Sequence, residues 1–203
     1  MAFSTNRNFF PPHIGDRIPS DISRYDREDG YTHILRRTRR GLSTTPDIAV
    51  FVDGACTNNG NSYAHAGMGI HFGPGSWRNF REQLRSGLST SQRAEIQAAI
   101  LALEQIKHCA ENEDFDAGTV VVVSDSEYLV RGITDRVYDW RENDWYSYRT
   151  GRKVGNWKDF ADLDDLIDQL EDEYGVFVKF WCVDRSLNQD ADREAGRAIG
   201  RGY

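Results

Sequence analysis

The chain has 203 residues, of which 39% are hydrophobic and 28% are charged, and its formal net charge is −7. These proportions are typical of a soluble protein and are enough for one domain with an additional arm. No apolar run approaches the roughly 20 residues of a membrane span, and the first residues lack the apolar core of a signal peptide. We therefore expect no membrane partner and a location in the nucleus or cytoplasm, with the mitochondrion left open.

The negative charge argues mildly against a nucleic-acid partner, because phosphate binding usually leaves a basic footprint. The charge is uneven, however. Residues 140–158 carry 5 basic and 2 acidic residues, whereas 159–173 carry 8 acidic residues and no basic one. The three cysteines are scattered and match no metal-ligand spacing, so they indicate a reducing compartment.

Residues 1–46 differ from the remainder, since they hold four of the five prolines and show no sustained period. They include a basic cluster, Arg36-Arg37-Thr38-Arg39-Arg40. Such a cluster is typical of a solvated arm, or of a contact with nucleic acid or with the nuclear import machinery. We expect residues 1–46 to form a flexible N-terminal arm and residues 47–203 to form the domain. A chain that begins near Thr45 is then expected to fold.

The domain begins with three predicted strands. Ile48–Val52 is an apolar run that ends in Asp53, and a turn follows at Asn58-Asn59-Gly60-Asn61. The runs at 66–72 and 77–84 complete an antiparallel meander.

Helices and buried strands alternate in the rest of the chain. A helix with a buried apolar stripe is predicted over 92–110. Four consecutive valines within Thr119–Asp125 indicate a central strand that is buried on both faces. A short helix at 127–133, a helix at 158–173, a strand at 177–183 and a helix at 190–199 follow. The predicted fold is α/β, a mixed five-stranded sheet of three antiparallel and two parallel strands with helices on both faces.

Four acidic residues lie where predicted elements meet solvent. Asp53 and Asp125 end strands, while Glu95 and Asp192 lie beside the buried stripes of helices. Asp125, Glu95 and Asp192 are also explained as acids near helix N-termini. Four carboxylates brought together repel one another unless a cation is present, and hard oxygen ligands suit magnesium or manganese. Two such ions activate water and stabilise a leaving oxygen in phosphodiester hydrolysis.

The motifs around these acids resemble those of a type 1 ribonuclease H over roughly residues 47–199. They are Val52-Asp53-Gly54-Ala55-Cys56 with Asn58-Asn59-Gly60, Thr90-Ser91-Gln92-Arg93-Ala94-Glu95, Ser124-Asp125-Ser126, Trp140 with Asn143-Asp144-Trp145, and Asn188-Gln189-Asp190-Ala191-Asp192. The resemblance implies a monomeric endonuclease that cleaves the RNA strand of RNA–DNA hybrids and leaves 3′-hydroxyl and 5′-phosphate ends. It implies two Mg²⁺ ions, with Mn²⁺ as a possible substitute. The metal-binding catalytic acids would be Asp53, Glu95, Asp125 and Asp192.

The resemblance also implies substrate contacts. Asn59 and Gln92 match positions that contact the RNA minor groove and its 2′-hydroxyls. Ser91 occupies a position where asparagine is usual, so its reach is shorter. Tyr128 and Trp140 match aromatic residues that pack against the deoxyriboses of the DNA strand, although ordinary core packing also explains them.

Two departures from the family pattern stand out. Thr90 and Asn156 match a pocket for a DNA phosphate, but Leu88 replaces the arginine expected two residues before Thr90. The glycine-rich loop that carries a histidine in many members is short here, and none of the five histidines lies in it. Arg185 lies in this stretch, as in short-loop members, and is expected to contact the substrate unless it is only a solvated loop charge.

Two other functions remain open from the sequence. One is a catalytically weak ribonuclease H-like module that binds nucleic acid or a protein partner. The other is an exonuclease of the same fold. The motif typical of such exonucleases at the first strand is Asp-x-Glu, whereas this chain has Asp53-Gly54-Ala55 there. The intact set of four acids favours the endonuclease.

Overall fold

The computed structural model describes residues 6–11, 18–59, 61, 63–85, 87–112 and 115–202, with residue 37 described by its backbone alone. Gly60 of the predicted turn lies outside these ranges. The described residues form seven strands: β1 (Ser23–Tyr25), β2 (Thr32–Thr38), β3 (Gly41–Thr57), β4 (His65–His71), β5 (Phe80–Gln83), β6 (Thr119–Ser124) and β7 (Phe177–Cys182). They also form six α-helices: α1 (Pro19–Ile22), α2 (Ser91–Glu111), α3 (Glu127–Arg131), α4 (Val137–Glu142), α5 (Trp157–Tyr174) and α6 (Gln189–Ala198).

The sheet is organised around β3, the longest strand. One edge of β3 pairs in parallel with β6, which in turn pairs in parallel with β7. The other edge pairs antiparallel with β2 along its first half and with β4 along its second half. Strand β4 also pairs antiparallel with β5. Because the sheet contains both parallel and antiparallel pairs, it is mixed, as predicted.

The valine run of β6 separates two hydrophobic cores. Val120 and Val122 face the larger core, between the sheet and helices α2 and α5. Val121 and Val123 face a smaller core on the opposite side of the sheet. All four side chains have no exposed surface, which confirms a central strand buried on both faces.

The first 46 residues contribute more structure than the sequence predicts. Residues 18–46 supply α1, β1, β2 and the start of β3, so the described sheet has seven strands rather than five. Ile22 and Ile34 are buried in the smaller core together with Trp181. The prediction of a flexible arm separate from the domain is therefore wrong for these residues, because their apolar side chains cover a face of the sheet that helices leave open. Residues 1–5 and 12–17 of the predicted arm lie outside the described ranges.

Residues 6–9 run along the outer edge of β7. Asn8 forms a parallel bridge with Phe180, and the Phe9 amide donates to the Phe180 carbonyl oxygen at 2.8 Å. Beside them the Arg7 side chain, 3% exposed, donates to Asp164 at 2.6 Å and to Asp168 at 2.8 Å. Arg141 of α4 contacts the same two aspartates at 3.2 and 3.0 Å. This group of four charges joins the N-terminal segment to α4 and α5.

Two glycines allow helices to lie directly on the sheet. A β-carbon at Gly54 of β3 would lie 2.3 Å from the Glu95 backbone nitrogen in α2. A β-carbon at Gly69 of β4 would lie 2.3 Å from both the Ala191 carbonyl oxygen and the Ala195 nitrogen of α6. Since real β-carbons do not approach backbone atoms this closely, glycine is required at both positions for α2 and α6 to lie where they do.

Substitution of Arg7 by methionine should destabilise the fold. The change keeps the length of the side chain but removes the charge that faces Asp164, which is 1% exposed. Removing one partner of a buried ion pair costs about 3 kcal/mol, and Arg141 remains to limit the loss. Urea unfolding measures the difference.

Arg24→Met is the matched control, because Arg24 lies on β1 and its side chain is exposed. Equal free energies of unfolding for the two variants would show that the Arg7 ion pairs contribute no net stability.

Candidate active site at the carboxyl edge of the sheet

Asp53 and Asp125 meet because β3 and β6 run in the same direction. Phe51 is the register partner of Val123, so the two acids each come two positions after a paired residue. Asp53 is 7% exposed, while Asp125 follows the end of β6 and is partly exposed. The parallel pairing that the sequence predicts therefore brings the first two predicted acids to one edge of the sheet.

Glu95 reaches this edge from the face covered by α2. Helix α2 begins at Ser91 after an N-cap at Thr90, whose side chain accepts from the Arg93 amide. The close approach at Gly54 places the backbone of Glu95 against β3, next to Asp53. The hydroxyl of Ser126 donates to Glu95 Oε2 at 2.5 Å, which links α2 to the segment after β6.

Asp192 reaches the edge from the opposite face. Gly69 is the register partner of Asp53, so the close approach of α6 at Gly69 sets the first turn of this helix beside Asp53. Arg185, in the short turn before α6, donates to Asp192 Oδ1 at 3.1 Å. Its side chain is 76% exposed, so the charge lies at the mouth of the site.

The four carboxylates influence one another electrostatically. The pKa of Asp53 is raised to about 8, first by burial and then by the charges of Asp125, Asp192 and Glu95, against a hydrogen bond from the Gly54 amide that lowers it. Burial also raises the pKa of Glu95, and Asp125 adds to this shift. The pKa of the Arg185 guanidinium is raised, first by Asp192 and also by Asp125 and Asp53. The predicted acids therefore form one electrostatic group, with Arg185 as a cation beside it.

Each acid also has a hydrogen-bond donor within the protein. The Gly54 amide donates to Asp53 at 2.8 Å, and the side-chain amide of Asn188 donates to Asp125 at 2.7 Å. The Ser126 hydroxyl donates to Glu95, and the Arg185 guanidinium donates to Asp192. Among the residues that the structure describes, no three His, Cys, Asp or Glu side chains lie close enough together to hold a metal ion.

Asn188 and Ser126 belong to the site, although sequence reasoning gave them no role. Asn188 is 1% exposed, and its amide nitrogen bridges Asp125 and the Val52 carbonyl oxygen. Its side-chain oxygen Oδ1 is buried without a hydrogen-bond partner among the described residues. The hydroxyl of Ser126 caps α3 by accepting from the Leu129 amide while it donates to Glu95. In the sequence Ser126 follows Asp125 directly, and Asn188 lies just before α6. These positions are the only sequence signals for their roles.

The residues predicted to contact the RNA strand lie together beside the acids. Asn59, in the turn after β3, donates to the Ser91 hydroxyl at 3.3 Å. Gln92 is the next residue of α2 and is exposed. The short side chain of Ser91 is thus engaged by Asn59, and the amide of Gln92 faces solvent at the start of the helix.

The predicted phosphate pocket is only partly assembled. Thr90 uses its hydroxyl to cap α2, and Asn156 lies in the left-handed region with φ of 55° at the start of α5. A surface depression is lined by Leu88, Asn156 and Lys158, and also by Arg93, which pairs with Asp159 at 3.1 Å. Lys158 and Arg93 are the basic residues of this depression, where the arginine expected at position 88 is absent, and Asp159 and Asp162 line it as well.

Tyr128 and Trp140 are brought together by Phe160. The rings of Tyr128 and Trp140 contact Phe160 with centroid distances of 5.4 and 5.1 Å. Gly132, in the π-helical turn Gly132–Arg136 between α3 and α4, leaves room for Phe160, since a β-carbon there would lie 2.4 Å from its ring. The Tyr128 hydroxyl donates to the Gly155 carbonyl oxygen at 2.9 Å and accepts from Asn156 at 3.3 Å. Both aromatic residues are therefore partly buried and anchored to α5.

Comparisons with known proteins agree with this arrangement. The family model "RNase H" matches residues 45–199. Ribonuclease H1 of Mus musculus is 32% identical over 171 residues, which cover 84% of this chain and 57% of the mouse protein. The chain thus spans little more than half the length of this curated relative.

Two solved structures share the fold. LC9-RNase H1, described as a type 1 RNase H with the type 2 active-site motif, has a TM-score of 0.54 and 23% identity, over 78% of this chain and 74% of that one. LC11-RNase H1 in complex with an RNA/DNA hybrid has a TM-score of 0.50 and 20% identity, over 74% and 95%. With the family model and the order of the four acids, these similarities show that the chain belongs to the ribonuclease H family and to its type 1 branch.

Proposed function

We propose that this protein is an endonuclease that hydrolyses the RNA strand of RNA–DNA hybrids with the help of divalent cations. The products would carry 3′-hydroxyl and 5′-phosphate ends. The observation that carries this proposal is the convergence of Asp53, Glu95, Asp125 and Asp192 on one edge of the sheet, where their charges act on one another. An intracellular location and a monomeric state are part of the proposal.

The side-chain types at this edge suit a magnesium ion, although no three of the described acids stand close enough together to hold one in this structure. Four carboxylates supply the hard oxygen ligands that Mg²⁺ prefers. The raised pKa of Asp53, caused by burial and by three neighbouring acids, is the cost of gathering negative charge without a counter-ion. The side-chain oxygen Oδ1 of Asn188, which has no partner among the described residues, adds a buried acceptor next to Asp125. We propose that these four acids hold two Mg²⁺ ions, with Mn²⁺ as a substitute.

Bound ions of this kind supply an activated water as nucleophile and stabilise the leaving oxygen of the ribose. The protein contributes the positions of the ligands. Ser126 fixes Glu95 and Asn188 fixes Asp125, through hydrogen bonds that run between different elements of the fold. Rigid placement of charged ligands lowers the reorganisation needed when charge develops in the transition state.

Selection of the RNA strand would depend on the loop after β3 and the first turn of α2. Asn59 and Gln92 present amide groups near the acids, and amides donate and accept hydrogen bonds to a ribose 2′-hydroxyl. The hydrogen bond from Asn59 to Ser91 holds the two segments together. The hybrid complex of LC11-RNase H1 supports a hybrid as the substrate.

The DNA strand would lie over Tyr128, Trp140 and the depression lined by Asn156 and Lys158. The aromatic faces suit deoxyribose rings, and Lys158 and Arg93 supply positive charge for a phosphate. Because Arg93 also pairs with Asp159, Lys158 is the stronger candidate for the phosphate contact.

The central test is cleavage of labelled RNA–DNA hybrid, with duplex RNA and duplex DNA as comparisons and with chelator as a second condition. Of the three substrates, the wild-type protein should cut only the hybrid, and it should do so only when a divalent ion is present. Asp125→Asn should lower kcat roughly a thousandfold, a loss on the scale of removing a group that stabilises charge in the transition state.

Asp116→Asn is the control variant, since Asp116 is exposed at the other end of β6, and it should cut normally. Equal cleavage of duplex DNA, or full activity of Asp125→Asn, would refute the proposed chemistry.

The stability of the protein without divalent ions should fall as the pH rises. The folded pKa of Asp53, about 8, lies above the ordinary value near 4. Its contribution is therefore fully present below about pH 4 and is lost as the pH rises through 8. The loss should amount to a few kcal/mol, since one pKa unit corresponds to about 1.4 kcal/mol.

Thermal unfolding in chelator between pH 5 and 9 measures this dependence. Asp53→Asn should flatten the profile, and added Mg²⁺ should raise the Tm of the wild type most at high pH. A variant with the slope of the wild type would show that Asp53 is not the group responsible.

Arg185→Ala should slow turnover without removing it. Arg185 is the cation next to Asp192, and its guanidinium does not titrate near neutral pH, so the pH–rate profile should show no limb from a histidine. We expect a loss of roughly tenfold to a hundredfold in kcat/KM on the scale of one charge-assisted contact. Arg193→Ala, on α6 next to Asp192 and paired with Asp190, is the control and should change kcat/KM little. Full activity of Arg185→Ala would mean that this arginine is only a solvated charge.

A further inference from the structure

The hairpin between β2 and β3 projects from the sheet as a two-stranded ribbon, which we define as residues Leu35–Thr44. Its two halves pair with each other in continuous register from Leu35–Thr44 to Thr38–Gly41. In the described part of the chain no third strand pairs with these residues. A register shift between His33 and Leu35 separates the ribbon from the sheet, and such bulges bend and twist a strand pair. Leu35 is buried at the base of the ribbon, whereas the described side chains from Arg36 to Thr44 are exposed, so the ribbon projects beyond the packed domain.

The ribbon concentrates positive charge in an acidic protein. Residues 30–46 contain four arginines and one histidine but no aspartate or glutamate, whereas the whole chain carries a net charge of −7. Arg36, Arg39 and Arg40 are exposed. No ion pair joins any of these three to a carboxylate of the described residues. By contrast, the arginines at positions 7, 81, 93, 141 and 185 all pair with acids.

The tip of the ribbon is held in a defined shape. Thr38 donates from its hydroxyl to the Gly41 carbonyl oxygen at 2.9 Å and accepts from the Arg40 amide at 3.2 Å. Gly41 has φ of 122°, a conformation that residues with side chains rarely adopt. These contacts present Arg39 and Arg40 together at the turn, so little conformational freedom of the backbone is lost when they bind.

The chemistry of the ribbon suits the phosphate backbone of a duplex. Arginine binds phosphate through several donors, and the hydroxyls of Ser43 and Thr44 add further donors of the kind that contact phosphates. A two-stranded ribbon also fits the major groove, which is about 12 Å wide. An anionic membrane fits less well, because Leu42 is the one large apolar side chain exposed on the described ribbon.

The ribbon and the catalytic acids lie toward opposite ends of β3. Asp53 is the twelfth residue after Gly41 along β3, which corresponds to at most about 40 Å at ~3.3 Å per residue. The ribbon leaves the sheet at the amino end of β3, whereas the acids lie at the carboxyl end. A hybrid of 10 base pairs centred on the acids extends roughly 17 Å to each side, which is less than half of that length along the strand.

We propose that the β2–β3 ribbon is a second, sequence-independent binding site for nucleic-acid phosphates, separate from the catalytic surface. It would hold a stretch of duplex that is not being cut, and so keep the enzyme on long substrates. The choice of nucleic acid over other polyanions rests on the proposed function.

The test compares R36Q/R39Q/R40Q with wild type in binding to 40-base-pair RNA–DNA hybrid and to DNA duplex of the same length. Binding is measured without divalent ions and over a range of salt concentrations. The variant should bind both duplexes about tenfold or more weakly at moderate salt. The slope of log K against log salt should fall by about 3, one unit for each phosphate that the variant no longer neutralises. Cleavage of a 10-base-pair hybrid should be unchanged.

The matched control for the turn is R24Q/R27Q against R39Q/R40Q, because both pairs are exposed in the first 46 residues and both lower the net charge by two. The control should keep the wild-type salt slope to within about one unit, whereas the slope for R39Q/R40Q should fall by about two. Equal binding by the ribbon and control variants would overturn the proposal. So would slower cleavage of the short hybrid, or wild-type binding to phosphatidylserine vesicles but not to duplex. Since duplex DNA binding is measured without catalysis, a protein that fails to cut hybrids leaves this test intact.

Discussion

The close approach of two helices to neighbouring strands governs the catalytic edge. Gly54 of β3 admits the backbone of α2 on one face, and Gly69 of β4 admits the backbone of α6 on the other. Because Gly69 is the register partner of Asp53, both approaches converge on the same acid. The helices bring Glu95 and Asp192 to the edge where β3 and β6 already place Asp53 and Asp125. Without these two glycines the helices would stand further from the sheet and the acids further from one another.

This convergence has an electrostatic cost that the surrounding residues partly offset. The pKa of Asp53 rises to about 8 because the side chain is buried among other acids. Each acid has a donor, and the donors come from different elements: a backbone amide of β3, a hydroxyl at the start of α3, an amide just before α6 and an arginine in the preceding turn. These bonds tie the ends of the elements together. The residual repulsion that remains is what a divalent cation would relieve.

The N-terminal residues complete the second face of the sheet. Helices α2 and α5 cover one face, but α6 covers only part of the other, so the valines at 121 and 123 need further cover. Ile22 and Ile34 provide it. Arg7 fixes the edge of β7 by joining the two aspartates of α5 that also hold Arg141 of α4. Since α4 carries Trp140, this charge group lies between the N-terminal segment and the proposed surface for the DNA strand.

Local patterns in the sequence predicted much of this molecule. The valine run of β6 indicated a doubly buried strand, and the apolar stripes of α2, α5 and α6 indicated their helices to within two residues at each end. The four acids were found because each follows or interrupts such a pattern. Asp53 and Asp125 each lie two positions beyond a pair of residues in the parallel strands β3 and β6. Strand geometry alone therefore places both acids at the same edge of the sheet.

Other features of the molecule depend on tertiary contacts that no local sequence pattern encodes. Arg7 pairs with Asp164 across 157 residues, and Asn188 reaches Asp125 and Val52 across 63 and 136 residues. A short strand such as β1, with three residues, shows no measurable period, so the sequence pattern before residue 46 does not indicate a strand. By itself the sequence determined the core elements and the order of the acids, because these depend on hydrophobic periodicity and strand direction. Only the folded chain showed the cover of the second face and the donors of Glu95 and Asp125, because these depend on contacts between residues far apart in sequence.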